Sequence, residues 1–151
     1  MARYPANGLT LEQAEAITAA ARAKGRELKL QPLTVVVLDA GGQTKSVQRE
    51  DGSSLLRPEI ALGKAFGALS LGLGGRELAR RAQSMQGFMN ALSDIAGGRA
   101  VPVQGGVLAC DAGGTILGAV GISGDVSAQD EACAVAGIQA AGLRPDTGDP
   151  E

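Results

Sequence analysis

Two runs of β-forming residues, "LTVVVLD" at Leu33–Asp39 and "VPVQGGVLACD" at Val101–Asp111, end in the same four residues, Asp-Ala-Gly-Gly, and each is followed by another run that reads as strand. That arrangement limits the topology more than any other feature of the chain. An aspartate ahead of two glycines makes a turn, because its carboxylate accepts from backbone amides two residues on and glycine takes positive φ without steric cost. A phosphate cradle would need a helix after the glycines, so that its N-terminus faced the anion. A strand follows both copies instead, and two hairpins are the reading.

The stretches between them read as helices. Thr10 with Gln13 three residues on has the form of a capping box, and Leu11, Ala14, Ile17 and Ala21 recur at helical spacing, giving a first helix to about Leu28. After the first hairpin, Pro58 opens a second helix whose stripe is Ile60, Ala61, Lys64, Ala65, Ala68 and Leu69, with Gly63 and Gly67 beside it. "GREL" opens a third helix with Arg76, Arg80 and Arg81 on one side, a solvated face unless the arginines meet a carboxylate. A short fourth helix closes at Gly97 and Gly98, and a last one starts near Ser127 and stops at Gly142. The order α, β, β, α, α, α, β, β, α with hairpin-joined strands predicts an α+β fold: one antiparallel sheet of about five strands, covered by helices on one face. The core is expected over about 9–142, with 143–151 as a frayed tail.

Composition bears on function mainly by exclusion. The 151 residues suit one domain, and 44 % apolar against 20 % charged residues is globular rather than disordered. A net charge of −2 and 2 % aromatic residues leave neither a basic stripe nor stacking platforms, so nucleic acid is not an expected partner. No signal-like N-terminus or membrane-length apolar run is present, and a cytoplasmic location is expected. The two cysteines, Cys110 and Cys133, have no knuckle or redox spacing and read as buried thiols, and no metal site is indicated. There is no histidine, which excludes serine and cysteine nucleophiles activated by imidazole.

The residues left to carry chemistry are few. Lys64 is the single cation on a face of small residues; it either pairs with an acid, or meets a ligand carboxylate, or acts as a base if desolvated. Gly105 and Gly106 sit within an apparent strand, as a bulge or as a place where another group approaches the backbone. Ser123, Gly124 and Asp125 lie where a strand leads into a helix, geometry that favours an anion or a neutral polar ligand.

"VVVLDAGGQTKSVQRED", "IALGKAFGAL" and "VPVQGGVLACDAGGTILGAVGISGDVSAQDEACAVAGIQAAG" together resemble, in wording and order, the GlcG/HbpS family, also called the haem-degrading domain family, which includes the C-terminal domain of PduO-type proteins. The resemblance covers about Leu9 to Gly142. It implies a profilin- or PAS-like antiparallel sheet flanked by helices, homo-oligomers, and haem or a related tetrapyrrole as ligand of some members. It maps the ligand site onto Lys64, Gly105, Gly106, Ser123, Gly124 and Asp125. Without histidine, only Met, Cys, Tyr or a hydroxyl remains to hold iron. The expected function is binding of a small ligand, tetrapyrrole or carboxylate; the alternative is a histidine-independent lyase, isomerase or hydratase with Lys64 or an aspartate as general base.

Overall fold

A computed structural model describes residues 1–150. The chain runs α1 (Leu11–Glu27), β1 (Thr34–Asp39), β2 (Thr44–Arg49), α2 (Arg57–Leu71), α3 (Gly75–Ser84), α4 (Gln86–Ile95), β3 (Gly106–Cys110), β4 (Ile116–Ser123), α5 (Ser127–Ala140) and β5 (Arg144–Asp146). The five strands form one sheet in the order β2-β1-β4-β3-β5, antiparallel throughout. The fold is α+β, as the alternation of hairpins and helices implied.

Both Asp-Ala-Gly-Gly segments are hairpin turns built in the same way. Asp39 Oδ1 accepts from the Gly41 and Gln43 amides at 2.9 and 3.0 Å, and Asp111 Oδ1 from the Gly113 and Thr115 amides, both at 2.9 Å. The second glycine of each copy is the one in the left-handed region, Gly42 at φ 79° and Gly114 at φ 87°. The α1 capping box forms in both directions, Thr10 accepting from Gln13 and Gln13 from Thr10.

Three expectations are corrected. The sheet is covered on both faces, not one. Val35 and Val37 of β1 join Val107, Ala109, Val120 and Ile122 under α1 and α5, while Val36 and Leu38 join Leu108, Cys110 and Ala119 under α2. The physical cause lies in β1, whose six residues are all buried, since a strand that is apolar at consecutive positions needs cover on both sides. The second correction concerns the tail. Arg144–Asp146 is the fifth strand, pairing with β3 from Leu108↔Asp146 to Cys110↔Arg144, and so 143–151 is not uniformly frayed. β3 also starts later than the strand-like run suggested, at Gly106 rather than Val101.

The small-residue face of α2 explains how closely that helix lies on the sheet. Gly106 and Gly121 are register partners on β3 and β4, and both face α2. A Cβ on Gly121 would fall on the Ala61 carbonyl, and one on Gly106 on the Lys64 carbonyl. Gly63 and Gly67 are filled by Val101 of the same chain. Helix and sheet backbones thus touch directly, and burial of Ala61, Ala65 and Ala68 seals the contact.

Candidate functional site

The residues singled out from the sequence gather where α2, the start of β3 and the start of α5 meet. Lys64 leaves α2 on one face of the sheet and reaches α5 on the other, passing Gly105, where a Cβ would lie 3.0 Å from Nζ. Its ammonium donates to the Ile122 carbonyl at 2.9 Å and to Asp130 Oδ2 at 3.0 Å. Lys64 is 3 % exposed and Asp130 fully buried. The other oxygen, Asp130 Oδ1, accepts from the Asp125 amide at 2.9 Å. Burial pushes the Asp130 carboxyl above the ordinary carboxylate range, while the Lys64 charge and the Asp125 amide pull it back.

Ser123 is buried and accepts from Arg57 Nη1 at 3.0 Å. Asp125 accepts from the Gln31 and Val126 amides at 2.9 and 2.8 Å, which lowers its carboxyl. A Cβ on Gly124 would press on the Pro32 carbonyl and Leu33. The α5 N-cap is Val126 rather than Ser127, and no side chain caps it. Lys64, Gly105 and Gly106 are therefore in mutual contact, while Ser123 and Asp125 are held by Arg57 and Gln31 and meet Lys64 only through Asp130 and the backbone. Beside Gly124 opens a cleft of about 200 Å³ that Arg57, Ser53 and Ser54 also line.

Next to Asp130 on α5, Glu131 takes the second cation. Arg76 Nε donates to Glu131 Oε1 at 2.8 Å, with Nη2 on the same oxygen. Glu131 is 2 % exposed, and its Oε2 has no hydrogen-bond partner among the described residues. Arg76 Nη1 and Arg80 Nη1 each reach a different oxygen of Asp149, and Glu77 binds both Arg80 and Arg81. A cleft of about 500 Å³ opens here, lined by Arg76, Arg80, Gln83, Gln104, Ser127 and Asp149 among others. The sequence allows these arginines either a solvated face or a carboxylate partner, and the structure gives Arg76 and Arg80 the second. Their spacing of four along α3 was the available signal, since it places both on one side of the helix.

Of the side chains that could hold haem iron, Cys110, Cys133 and Met89 are sealed in the core, while Met1, Met85 and Tyr4 are exposed. Cys110 and Cys133 are buried in opposite cores, and burial pushes the Cys133 thiol up to about 11. Met89 is likewise 4 % exposed within the α2-side core. Tyr4 borders a cleft of about 790 Å³ whose walls mix Pro5 and Ala6 with Asp39, Gln43, Thr44 and Lys45.

The comparisons agree with this architecture. A model of the HbpS-like family, described as haem degrading protein HbpS-like, matches residues 9–139. An uncharacterized 15.0 kDa protein from the dhaT-dhaS intergenic region of Citrobacter freundii is 31 % identical over 125 residues, 81 % of this chain and 84 % of that protein. The corrinoid adenosyltransferase PduO of the same organism is 30 % identical over 142 residues, 94 % of this chain but 42 % of that protein. Among solved structures, a PduOC:haem complex superposes with TM-score 0.80 at 26 % identity, covering 94 % of this chain and 99 % of that one. HbpS superposes with TM-score 0.76 at 30 % identity, covering 92 % and 96 %. No helix among the described residues is long and apolar enough to cross a membrane. The chain belongs to the HbpS-like family.

Proposed function

We propose that this protein binds a small carboxylate-bearing ligand, a tetrapyrrole propionate or a small organic acid, in the cleft between α3, the Val103–Gln104 lead into β3 and the first turn of α5. One observation carries the reading: two guanidiniums from one helix converge on a single carboxylate at the mouth of a cleft of about 500 Å³, within the range of small-molecule sites. Ser127, Gln83 and Gln104 supply further polar contacts. Lys64, Gly105, Gly106, Ser123, Gly124 and Asp125 form the frame behind this cleft, Lys64 fixing α5 through Asp130 rather than touching the ligand. The sealed Lys64–Asp130 pair favours binding over catalysis, because a general base must reach its substrate. Exposed apolar residues, Leu55, Leu56, Phe88 and Ile95 among them, suit a homo-oligomer.

Titration with haemin, iron-free protoporphyrin IX and succinate tests the reading. Recognition through carboxylates gives saturable binding of haemin and protoporphyrin at similar affinity. Binding of haemin alone would place recognition at the iron, and no binding of any of the three would refute the proposal.

A further inference from the structure

The carboxylate between Arg76 and Arg80 belongs to the chain itself. We infer that the segment after β5 is a built-in occupant of the anion site, with Asp149 standing where a ligand carboxylate binds, so that ligand and tail exclude one another. The inference rests on the carboxylate-binding reading above and adds its regulation.

Four observations support it. The tail is seated rather than draped. The Arg76 amide donates to the Thr147 carbonyl at 3.0 Å, and Gly74 at the head of α3 meets Thr147 and Gly148 so closely that a Cβ would strike their backbone. Arg80 Nη2 also donates to the Gly148 carbonyl. The geometry is that of anion recognition, since the two oxygens of Asp149 are divided between two guanidiniums. Charge points the same way. Three arginines of α3, Arg76, Arg80 and Arg81, face two other carboxylates, Glu77 and Glu131, leaving one positive charge for Asp149 or a ligand to neutralise. Finally, Asp149 and Arg80 both line the cleft of about 500 Å³ and a second one of about 480 Å³ on the side of Gly72–Gly74. The tail is the shared wall, and its departure joins the two into one groove floored by Arg80.

The occupant is held weakly enough to leave. Asp149 is 43 % exposed on its side chain and the two arginines 37 and 48 %, and exposed ion pairs contribute at most about 1 kcal/mol each. Arg76 stays in place when the tail leaves, because Glu131 holds its other edge from a buried position. A competitor of this kind lowers apparent affinity by the fraction of molecules in which the site is open.

The test is calorimetric titration of the full chain, of Asp149→Asn, of Asp149→Glu and of a chain truncated after Thr147 and ending in a C-terminal amide, which adds no new carboxylate beside Arg76, with succinate and with protoporphyrin IX. Truncation there keeps β5 and the Thr147 bond. Asp149→Asn and the truncation should bind about three- to tenfold more tightly than the full chain, and Asp149→Glu, which keeps the charge, should not. Binding to the variants with none detectable to the full chain also supports the inference. Equal affinity across all four chains would overturn it while leaving the carboxylate site standing. No binding by any of them would overturn both.

Discussion

Lys64 and Arg76 are cations of consecutive helices that meet consecutive acids of α5, Asp130 and Glu131, yet they end in opposite environments. The Lys64–Asp130 side chains are 4 and 0 % exposed, with all but a trace of the pair sealed between the sheet and α5. Arg76 is 37 % exposed over a 3 % exposed Glu131, with one edge of its guanidinium left to face a cleft. The difference comes from what lies beside each. Gly105, Gly106 and Gly121 let the α2 backbone close over Lys64, whereas Arg76 lies at the head of α3 with one edge on Glu131 and the other on Asp149 of the tail, beside an open cleft. A buried pair fixes geometry at a desolvation cost, and a half-buried one can still exchange partners. In the proposed reading the first kind holds the site and the second forms it.

The comparison is broken most directly by removing one cation at a time. Lys64→Ala leaves the Asp130 carboxyl buried without its partner and should cost about 3–5 kcal/mol in a denaturant titration. The double change Lys64→Met with Asp130→Asn should lose less than Lys64→Ala alone, since the introduced carboxamide can still accept from the Asp125 amide. A larger loss in the double variant would mean that the pair is more than a satisfied burial. Gly121→Ala forces a methyl against the Ala61 carbonyl and should lower stability by about 1–3 kcal/mol; unchanged stability would show that α2 can lift from the sheet.

On the open side the effects shrink with exposure. Arg76→Ala strips Glu131 of its donors and should cost about 1–3 kcal/mol, and Arg80→Ala under about 1 kcal/mol. Equal losses for the two would erase the distinction between anchored and free arginine. The smallest effect lies in pH dependence, where the two regions differ in sign. Between the unfolded value of about 4 and the raised folded value, Asp130 binds its proton more tightly in the folded chain than in the unfolded one, so this group's contribution to stability falls as pH rises through that window. Glu77, held low by Arg81 and Arg80, contributes stability above about pH 4.3 that is lost as pH falls through its lowered value. Asp130→Asn and Glu77→Gln should therefore change the slope of stability against pH in opposite directions, and changes of one sign would contradict the assignment of causes.

Much of the frame was legible from residue order. The hairpins followed from Asp39 and Asp111 with their glycines, α1 from Thr10 and Gln13, and the end of α4 from Gly97 and Gly98. The consecutive apolar residues of "TVVVLD" also carried the two-sided cover of the sheet, although the order of hairpins and helices was read as cover on one side. The fifth strand was not legible, because Arg144–Asp146 is three residues with no β-former among them and is a strand only by pairing with β3. The partners of the cations were hidden for another reason. Lys64 and Asp130 are 66 positions apart, and Arg76 and Glu131 55, so only the folded chain, in which both cations reach the first turn of α5, brings them together. For Arg76 and Arg80 the sequence left open a solvated face or a carboxylate partner, and could not name Asp149 because it lies about seventy residues away.

In the proposed site, ligand recognition belongs to the open arginines and not to the sealed lysine. It is tested by protoporphyrin IX and succinate titrations of Arg80→Gln and of the Lys64→Met, Asp130→Asn double variant, each checked for folding by its unfolding midpoint. Arg80→Gln should keep its stability and lose carboxylate binding, while the double variant should change in stability and still bind. Retained binding in Arg80→Gln together with loss in a folded double variant would return the site to Lys64 and contradict the account.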